Sequence, residues 1–154
     1  MQDTSPFGIL PPRHAETVAI LDFGSQYAQL IARRVREAGA FGLLAAPDVS
    51  IEALRDLGPK GIILSGGPSS VTAADAPRCD PRIFELGIPV LGICYGMQLG
   101  CHLLDCEVAG HREREYGPAR LEIRDGSDLL RSLPSACTVW MSHGDQVQVV
   151  HEEF

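Results

Sequence analysis

The sequence predicts an α/β fold in which a doubly wound, mostly parallel sheet carries helices on both faces. Two observations lead to this prediction. Short apolar runs alternate with segments of helical periodicity along residues 17–104, which is the order of elements typical of a parallel sheet. The run from Val90 to Ile93 is interrupted only by Gly92 and follows Pro89, as expected of a strand that is covered on both faces.

The first strand and the first helix follow from residue spacing. Thr17–Phe23 predicts the strand, and Ser25 after the turn predicts a helix N-cap. Gln26–Ala38 predicts the helix, because its apolar residues form one stripe and Gly39 closes it. The members of that stripe are Tyr27, Leu30, Ile31, Val35 and Ala38.

The same alternation continues to residue 104. In order, the predicted elements are strand Phe41–Ala46, helix Ser50–Leu57 with Ser50 as its N-cap, strand Gly61–Leu64, the brief helix Pro81–Leu86, the strand that leads to Cys94, and helix Tyr95–Leu104. Right-handed connections bring the carboxyl ends of parallel strands to one edge of the sheet, where ligands bind. We therefore expect the loop after Leu64 and the turn at Cys94 to lie together at that edge.

Beyond Leu104 the pattern changes to an alternation of apolar and polar residues. Ala119–Arg124 has this alternation, which predicts a half-exposed strand. Thr138–Met141 and Gln146–Val150 predict two further strands, one on each side of Ser142–Asp145.

Composition and length limit the possible functions. The 154 residues predict a tail over residues 1–16 and one domain over residues 17–154. A net charge of −7 disfavours a nucleic-acid or anionic-membrane surface, and no apolar run approaches the roughly 18 residues of a membrane span. Five cysteines, an odd number without a C-x-x-C pair, favour free thiols in a reducing, cytoplasmic compartment. Cys101, His102 and Cys106 fit no standard zinc spacing, so we predict core thiols there and no metal.

The residues around Cys94 predict a nucleophile. Gly92, Cys94 and Gly96 form G-x-C-x-G, the cysteine version of the G-x-S-x-G elbow between a strand and a helix. Only glycine leaves room on both sides of a side chain held on such a tight turn. At a helix N-terminus, the helix dipole and free amides would favour the thiolate of Cys94. The alternative is a buried structural cysteine that happens to lie between two glycines.

The loop Ser65–Ser70 (SGGPSS) predicts a backbone site for an oxyanion. Glycines let an N–H approach a reacting carbonyl, so Gly67 and Tyr95, the residue after the nucleophile, would be the two donors. A phosphate-binding loop is disfavoured, because Ser69 replaces the Asp of S-G-G-x-D-S and Pro68 lacks an amide donor. A plain turn remains an alternative.

From Val18 onward the sequence resembles the class I, or triad, glutamine amidotransferase domain of GMP synthases. The segments that carry the resemblance are Leu21–Tyr27 (LDFGSQY), Ala32–Glu37 (ARRVRE), Ile62–Pro68 (IILSGGP), Gly92–Gln98 (GICYGMQ), Arg114–Gly117 (REYG) and Trp140–Asp145 (WMSHGD). The elbow and the SGGP loop are shared by the whole class, whereas LDFGSQY and MSHGD point to the GMP synthase branch.

The resemblance implies a role for each site residue. Cys94 would attack the side-chain amide of glutamine, release ammonia and form a thioester that water hydrolyses. The Gly67 and Tyr95 amides would hold the oxyanion. The residues expected to bind the glutamine substrate are Gly66, Gln98 and, through backbone groups, Ser142 and His143.

The resemblance also implies parts that lie outside these residues. The family's base and the acid that orients it, a His and a Glu of an H-P-E segment, are expected after residue 154, because His151–Glu153 follows Ser142–Asp145 too closely. ATP and Mg²⁺ belong to a synthetase (ATP-pyrophosphatase) domain or separate chain, absent from this sequence, that aminates XMP to GMP in purine nucleotide biosynthesis. We therefore expect a C-terminally incomplete domain, inactive alone, and a homodimer when the protein is full length.

Two other interpretations stay open. If the chain is complete, it is a catalytically silent binding or regulatory module with an amidotransferase-like fold. It is otherwise a class I-type cysteine hydrolase that acts on another amide.

One pair of residues departs from the family pattern. Asp105–Cys106 stands where the family usually has Gly-Gly, but Asp tolerates the left-handed conformation at a helix end better than most residues.

Overall fold

The computed structural model describes residues 7, 11–12, 15–127 and 129–150, with residues 111–115 and 143 described by their backbone alone. In chain order the elements are β1 (Thr17–Leu21), α1 (Ala28–Glu37), β2 (Phe41–Ala45), α2 (Ile51–Leu57), β3 (Gly61–Leu64), a 3₁₀ turn (Pro81–Glu85), β4 (Val90–Gly92), α3 (Tyr95–Leu103), β5 (Glu107–Glu122) and β6 (Ala136–Val149). None of the helices in these ranges reaches the length and hydropathy that a membrane span requires.

The first four strands form one parallel sheet in the order β2-β1-β3-β4. The chain moves outward from β1 to β2, then crosses back over β1 to β3 and β4. With right-handed connections, this reversal places α1 and α2 on opposite faces. The predicted doubly wound α/β sheet is confirmed, and the point of reversal lies between β1 and β3. In such sheets that point is where ligands bind.

The hydrophobic core is built from side chains of the sheet and the helices that cover it. Its fully buried members include Leu21, Leu54, Ile62, Leu64 and Leu99. Each contributes about 1.5–3 kcal/mol by leaving water. Helix α2 begins after Ser50, whose side chain accepts a hydrogen bond from the Ala53 amide at 3.2 Å. This confirms the predicted N-cap.

The buried face of helix α1 is shifted from the predicted stripe, although Ile31 and Val35 of that stripe are half-buried. Ala28 and Ala32 are buried, whereas Tyr27 and Leu30 are 58% and 45% exposed. The backbone of α1 lies so close to β2 that a methyl group on Gly42 would lie 2.7 Å from the Ala32 carbonyl oxygen. Because only small residues permit this approach, alanine rather than the large apolar residues forms the contact. The predicted N-cap is also two residues early: the N-cap is Tyr27, and the Ser25 hydroxyl group instead accepts a hydrogen bond from the Tyr27 amide within the preceding turn.

Among the described residues, strand β4 is at the edge of the sheet and its side chains are only partly covered, which corrects the prediction that it is covered on both faces. Among the described residues it pairs only with β3. Leu91 is 36% exposed and Ile93 is 37% exposed. An apolar run of three or four residues indicates a strand but does not reveal how many neighbours it has.

Strands β5 and β6 form one long antiparallel hairpin. The separate strands predicted at Thr138–Met141 and Gln146–Val150 are parts of the single strand β6, and β5 begins twelve residues before the predicted Ala119. Gly117 and Pro118 are both paired within the hairpin. Between Gly110 and Glu115 the pairing is irregular, because five positions along β5 correspond to only two along β6. Trp140 on this hairpin is 75% exposed.

Candidate active site

The turn at Cys94 has the strained backbone expected of a nucleophile elbow. Cys94 is the N-cap of α3, with φ +51° and ψ −112°, a conformation that costs an L-residue about 1–3 kcal/mol. A methyl group on Gly92 would lie 2.5 Å from the Cα atom of Met97, and one on Gly96 would overlap the Leu64 carbonyl group. Both glycines are therefore required by the close packing of β3, β4 and α3 around Cys94.

The loop after β3 lies directly against this turn. This confirms the prediction that the loop after Leu64 and the turn at Cys94 lie together at one edge of the sheet. A methyl group on Gly66 would be 3.7 Å from the Cβ atom of Cys94 and 3.7 Å from the Oγ atom of Ser25. Gly67 packs on the end of β1, where a methyl group would lie 2.5 Å from the Phe23 carbonyl oxygen. The carboxyl ends of β1, β3 and β4 therefore meet at Cys94.

Ser65, which was given no individual role from the sequence, holds this loop in place. Its hydroxyl group is fully buried, accepts a hydrogen bond from the Phe23 amide at 3.1 Å and donates one to the Gly66 carbonyl oxygen at 3.0 Å. Its amide donates to the Leu21 carbonyl oxygen at 3.0 Å. Ser65 thus ties the glycine loop to the end of β1, and a small hydroxyl residue at the end of a buried strand was the available signal.

The two amides predicted to hold an oxyanion are uncommitted. Among the described residues, neither Gly67 nor Tyr95 donates a backbone hydrogen bond, whereas the neighbouring Gly96 amide donates to Ser65 and Ile93 at 3.0 Å each. The Tyr95 amide belongs to the first turn of α3, where N–H groups have no partner within the helix. Both amides are therefore available to a carbonyl oxygen beside Cys94.

The hairpin contributes the third side of the site. The Cys94 thiol donates a hydrogen bond to the Ser142 carbonyl oxygen at 3.6 Å, and the Gln98 side-chain amide donates to the Asp145 carbonyl oxygen at 2.7 Å. Gln98, predicted as a substrate ligand, is buried and binds β6 in this structure. The backbone of His143 pairs with Glu115, and the His143 side chain lies outside the described atoms.

Asp145 is the main site residue that the sequence prediction missed. Its carboxylate is buried and accepts a hydrogen bond from the Val71 amide at 3.1 Å, across 74 residues of sequence. Its carbonyl oxygen accepts the hydrogen bond from Gln98. One residue thus joins β6 both to α3 and to the segment that follows the glycine loop. Asp145 lies between Gly144 and Gln146 in a polar part of the strand, so the sequence carried no signal that this acid would be buried and require a partner.

The side chain of Tyr95 anchors the start of α3. It is almost fully buried, its hydroxyl group donates a hydrogen bond to the Pro77 carbonyl oxygen, and its ring packs on Phe23 with centroids 5.3 Å apart. Burial raises the pKa of Tyr95 above its ordinary value, so the hydroxyl group remains a donor. The residue whose amide is predicted to hold the oxyanion is therefore fixed by contacts with two other loops.

Three of the other four cysteines are more buried than Cys94. Cys79, Cys101 and Cys106 are buried, whereas Cys94 and Cys137 are partly exposed. Burial raises the pKa of Cys79 to about 11 and also raises the pKa of Cys101, so these two remain thiols at neutral pH. Among the described residues, no three His, Cys, Asp or Glu side chains are grouped closely enough to hold a metal ion.

Sequence comparison identifies relatives over almost the whole chain. The family profile described as glutamine amidotransferase class-I matches residues 19–154. The chain is similar to GMP synthase (glutamine-hydrolyzing) of Prochlorococcus marinus (strain MIT 9303), with 56% identity over 138 residues that make up 89% of this chain and 26% of that protein. It is 53% identical over 139 residues to the protein of the same name from Bacillus subtilis (strain 168), covering 90% of this chain and 27% of the relative. The chain thus spans about a quarter of the length of these relatives.

Solved structures have the same fold. A protein of Thermoplasma acidophilum, described as one chain of a candidate GMP synthase, superposes with a TM-score of 0.78 at 24% identity, covering 92% of this chain and 71% of that one. A glutamine amidotransferase of Thermotoga maritima has a TM-score of 0.65 at 20% identity, covering 91% of this chain and 65% of that one. At these identities the likeness concerns the fold alone.

Proposed function

The chain belongs to the class-I glutamine amidotransferase family, and on that premise we propose that a longer protein containing it hydrolyses glutamine through Cys94 and supplies the ammonia for GMP synthesis. One observation carries the proposal. Cys94 stands on a strained elbow, with the Gly66–Gly67 loop on one side and the hairpin carbonyl of Ser142 on the other. This arrangement leaves the Cys94 sulfur beside a space in which the side-chain amide of glutamine can lie.

The first chemical step is the attack of Cys94 on the side-chain carbonyl carbon of glutamine. The carbonyl oxygen gains negative charge as the sulfur–carbon bond forms, and the uncommitted amides of Gly67 and Tyr95 stabilise it. A base that has taken the thiol proton returns it to the leaving nitrogen, the carbon–nitrogen bond breaks, ammonia leaves, and a thioester remains on Cys94. Water hydrolyses the thioester to glutamate and restores the thiol.

A base is required for both steps. Within the described residues the only hydrogen-bond partner of the Cys94 thiol is the Ser142 carbonyl oxygen, and a carbonyl oxygen cannot remove its proton. We therefore assign the base and its orienting acid to the His and Glu of an H-P-E segment encoded after residue 154. The relatives, which are about four times as long as the matched region, support this assignment.

The ammonia is used by a second domain or subunit. Because the relatives are named GMP synthase and only about a quarter of their length matches, we propose that a synthetase domain or subunit uses this ammonia to aminate XMP. The odd number of cysteines without a C-x-x-C pair supports a reducing, cytoplasmic location for the reaction.

The experiment is covalent labelling with 6-diazo-5-oxo-norleucine, an electrophilic glutamine analogue. In the full-length protein we expect one label on Cys94, none in Cys94→Ala, and unchanged labelling in the matched control Cys137→Ala, which removes the other partly exposed thiol. Equal labelling of Cys79 or Cys101 contradicts the assignment of Cys94.

Two further outcomes separate the proposal from its alternatives. We expect residues 1–154 alone to release almost no ammonia from glutamine, and measurable turnover would refute the assignment of the base to a later segment. We expect the reading frame after Phe154 to encode H-P-E and then S-G-G-V-D-S. A stop codon directly after Phe154 would favour a catalytically silent module instead.

A further inference from the structure

Two cysteines close the C-terminal end of the helix that carries Cys94. α3 ends at Leu103, and Asp105 adopts the left-handed conformation with φ +60°. The amide of Cys106 donates a hydrogen bond across this turn to the carbonyl oxygen of Cys101 at 2.8 Å. This six-residue closure is the Schellman motif, in which the side chains of the first and last residues pack against each other.

In most helices that contact is made by two apolar side chains, but here it is made by two thiols. Cys101 and Cys106 are both buried, at 3% and 6% exposure. Both are free thiols in this structure. The 2.8 Å hydrogen bond between the Cys106 amide and the Cys101 carbonyl oxygen brings the two backbones together, which favours a bridge between their side chains.

We propose that Cys101 and Cys106 form an oxidisable dithiol, a modification site that takes disulfide-class oxidants such as oxidised glutathione. One thiol attacks the oxidant as thiolate, a sulfur–sulfur bond forms, and one reduced glutathione leaves. The second thiol attacks the mixed disulfide, which forms the Cys101–Cys106 bond and releases a second glutathione. The two protein protons end on the two glutathione molecules, so two thiols are oxidised and one disulfide is reduced.

The order of attack follows from the surroundings of the pair. Cys101 lies within α3 and Cys106 in the turn beyond its end, so opening of that turn exposes Cys106 first; we assign the first attack to Cys106 and the resolving step to Cys101. Access requires only the opening of the last turn of α3, since helix ends open at lower cost than the core.

The bridge would fasten two parts of the candidate active site. Cys106 directly precedes β5, whose first residue Glu107 pairs with Val149 of β6. Cys101 lies in the helix that begins at Cys94 and carries Gln98. Oxidation would therefore lock the joint between the nucleophile helix and the hairpin that contacts it.

The experiment treats the protein with oxidised glutathione, alkylates the remaining thiols under denaturing conditions, and digests it without reductant using a protease that cleaves before aspartate. Cleavage before Asp105 separates Cys101 (peptide 80–104) from Cys106 (peptide 105–124). In a Cys94→Ala background the two peptides can be joined only through these cysteines. If that variant does not fold, fragmentation of the linked peptides from the unsubstituted protein locates the bridge.

The expected result is one linked species that lacks two hydrogens, returns to separate peptides on reduction, and is absent in Cys101→Ser and Cys106→Ser. Cys79 is the matched control, because it is as buried as Cys106 but has no thiol neighbour among the described residues. We expect Cys79 to stay a free thiol. Recovery of Cys101 and Cys106 as separate alkylated thiols, under conditions that fully oxidise Cys137, would overturn the proposal.

Discussion

Replacement of Asp145 by alanine should destabilise the protein out of proportion to the size of the side chain. The Asp145 carboxylate accepts the hydrogen bond of the Val71 amide, and both residues are buried. Asp145→Ala leaves that amide without a partner and without access to water. A buried donor left unsatisfied costs about 1–3 kcal/mol, and loss of a hydrogen bond to a charged group costs about 1.5–3 kcal/mol. We therefore expect the free energy of unfolding to fall by about 2–3 kcal/mol.

Two further variants isolate the cause. Asp145→Asn keeps an oxygen that can accept from Val71, so its cost should be about 1 kcal/mol. Asp125→Ala also removes a carboxylate that accepts a backbone hydrogen bond, from Ser127 at 2.8 Å, but at an exposed site where water replaces it. Its cost should stay below about 1 kcal/mol.

The assays are urea unfolding and the rate at which 6-diazo-5-oxo-norleucine labels Cys94 in the full-length protein. Because Asp145 joins the hairpin to the segment after the glycine loop, labelling should slow in Asp145→Ala and remain unchanged in Asp125→Ala. If Asp145→Ala and Asp125→Ala lose the same free energy of unfolding within about 0.5 kcal/mol, the buried hydrogen bond does not have the role described.

Three other predictions concern the elbow and its surroundings. Gly96→Ala should cost about 3 kcal/mol and abolish labelling, because its methyl group overlaps the β3 backbone; Gly100→Ala, on the same helix with ordinary space, should be neutral or stabilise by up to about 1 kcal/mol. Tyr95→Phe should cost about 1 kcal/mol in urea unfolding, since the Pro77 carbonyl oxygen loses its donor, and a cost near zero would contradict that contact. Between pH 9 and pH 11 the unfolded chain loses the Cys79 proton that the folded chain retains, so the free energy of unfolding should fall by at most about 1.4 kcal/mol per pH unit. Cys79→Ala should remove that part of the slope, and identical slopes in the two proteins would refute it.

The parallel sheet and the elbow could be predicted because their signals are local. β1, β2, β3 and β4 are short apolar runs with glycines or polar turns at their ends, and they differ from the predicted bounds by no more than two residues at the carboxyl end. The demand for glycine on both sides of Cys94 is likewise a local steric fact, and the structure shows the atoms that impose it.

Other features could not be predicted because they depend on what a segment meets after folding. The stripe of α1 was assigned from hydrophobicity, yet the approach of its backbone to Gly42 selects Ala28 and Ala32. The extent of β5 and β6 depends on pairing between strands whose individual sequences are ordinary, so no spacing rule within either one reveals it. The contact between Asp145 and Val71 joins residues 74 positions apart, and no pattern in either segment specifies the other.

The exposed indole on the hairpin makes the protein its own optical probe. Trp140 is the only tryptophan among the 154 residues, so when residues 1–154 are studied by themselves all indole emission comes from one position, two residues before the carbonyl that the Cys94 thiol contacts. An indole in water emits at longer wavelength than one in an apolar contact. A shift of that emission to shorter wavelength will therefore report, without any added label, whenever another part of the protein or a ligand covers this arm of the hairpin.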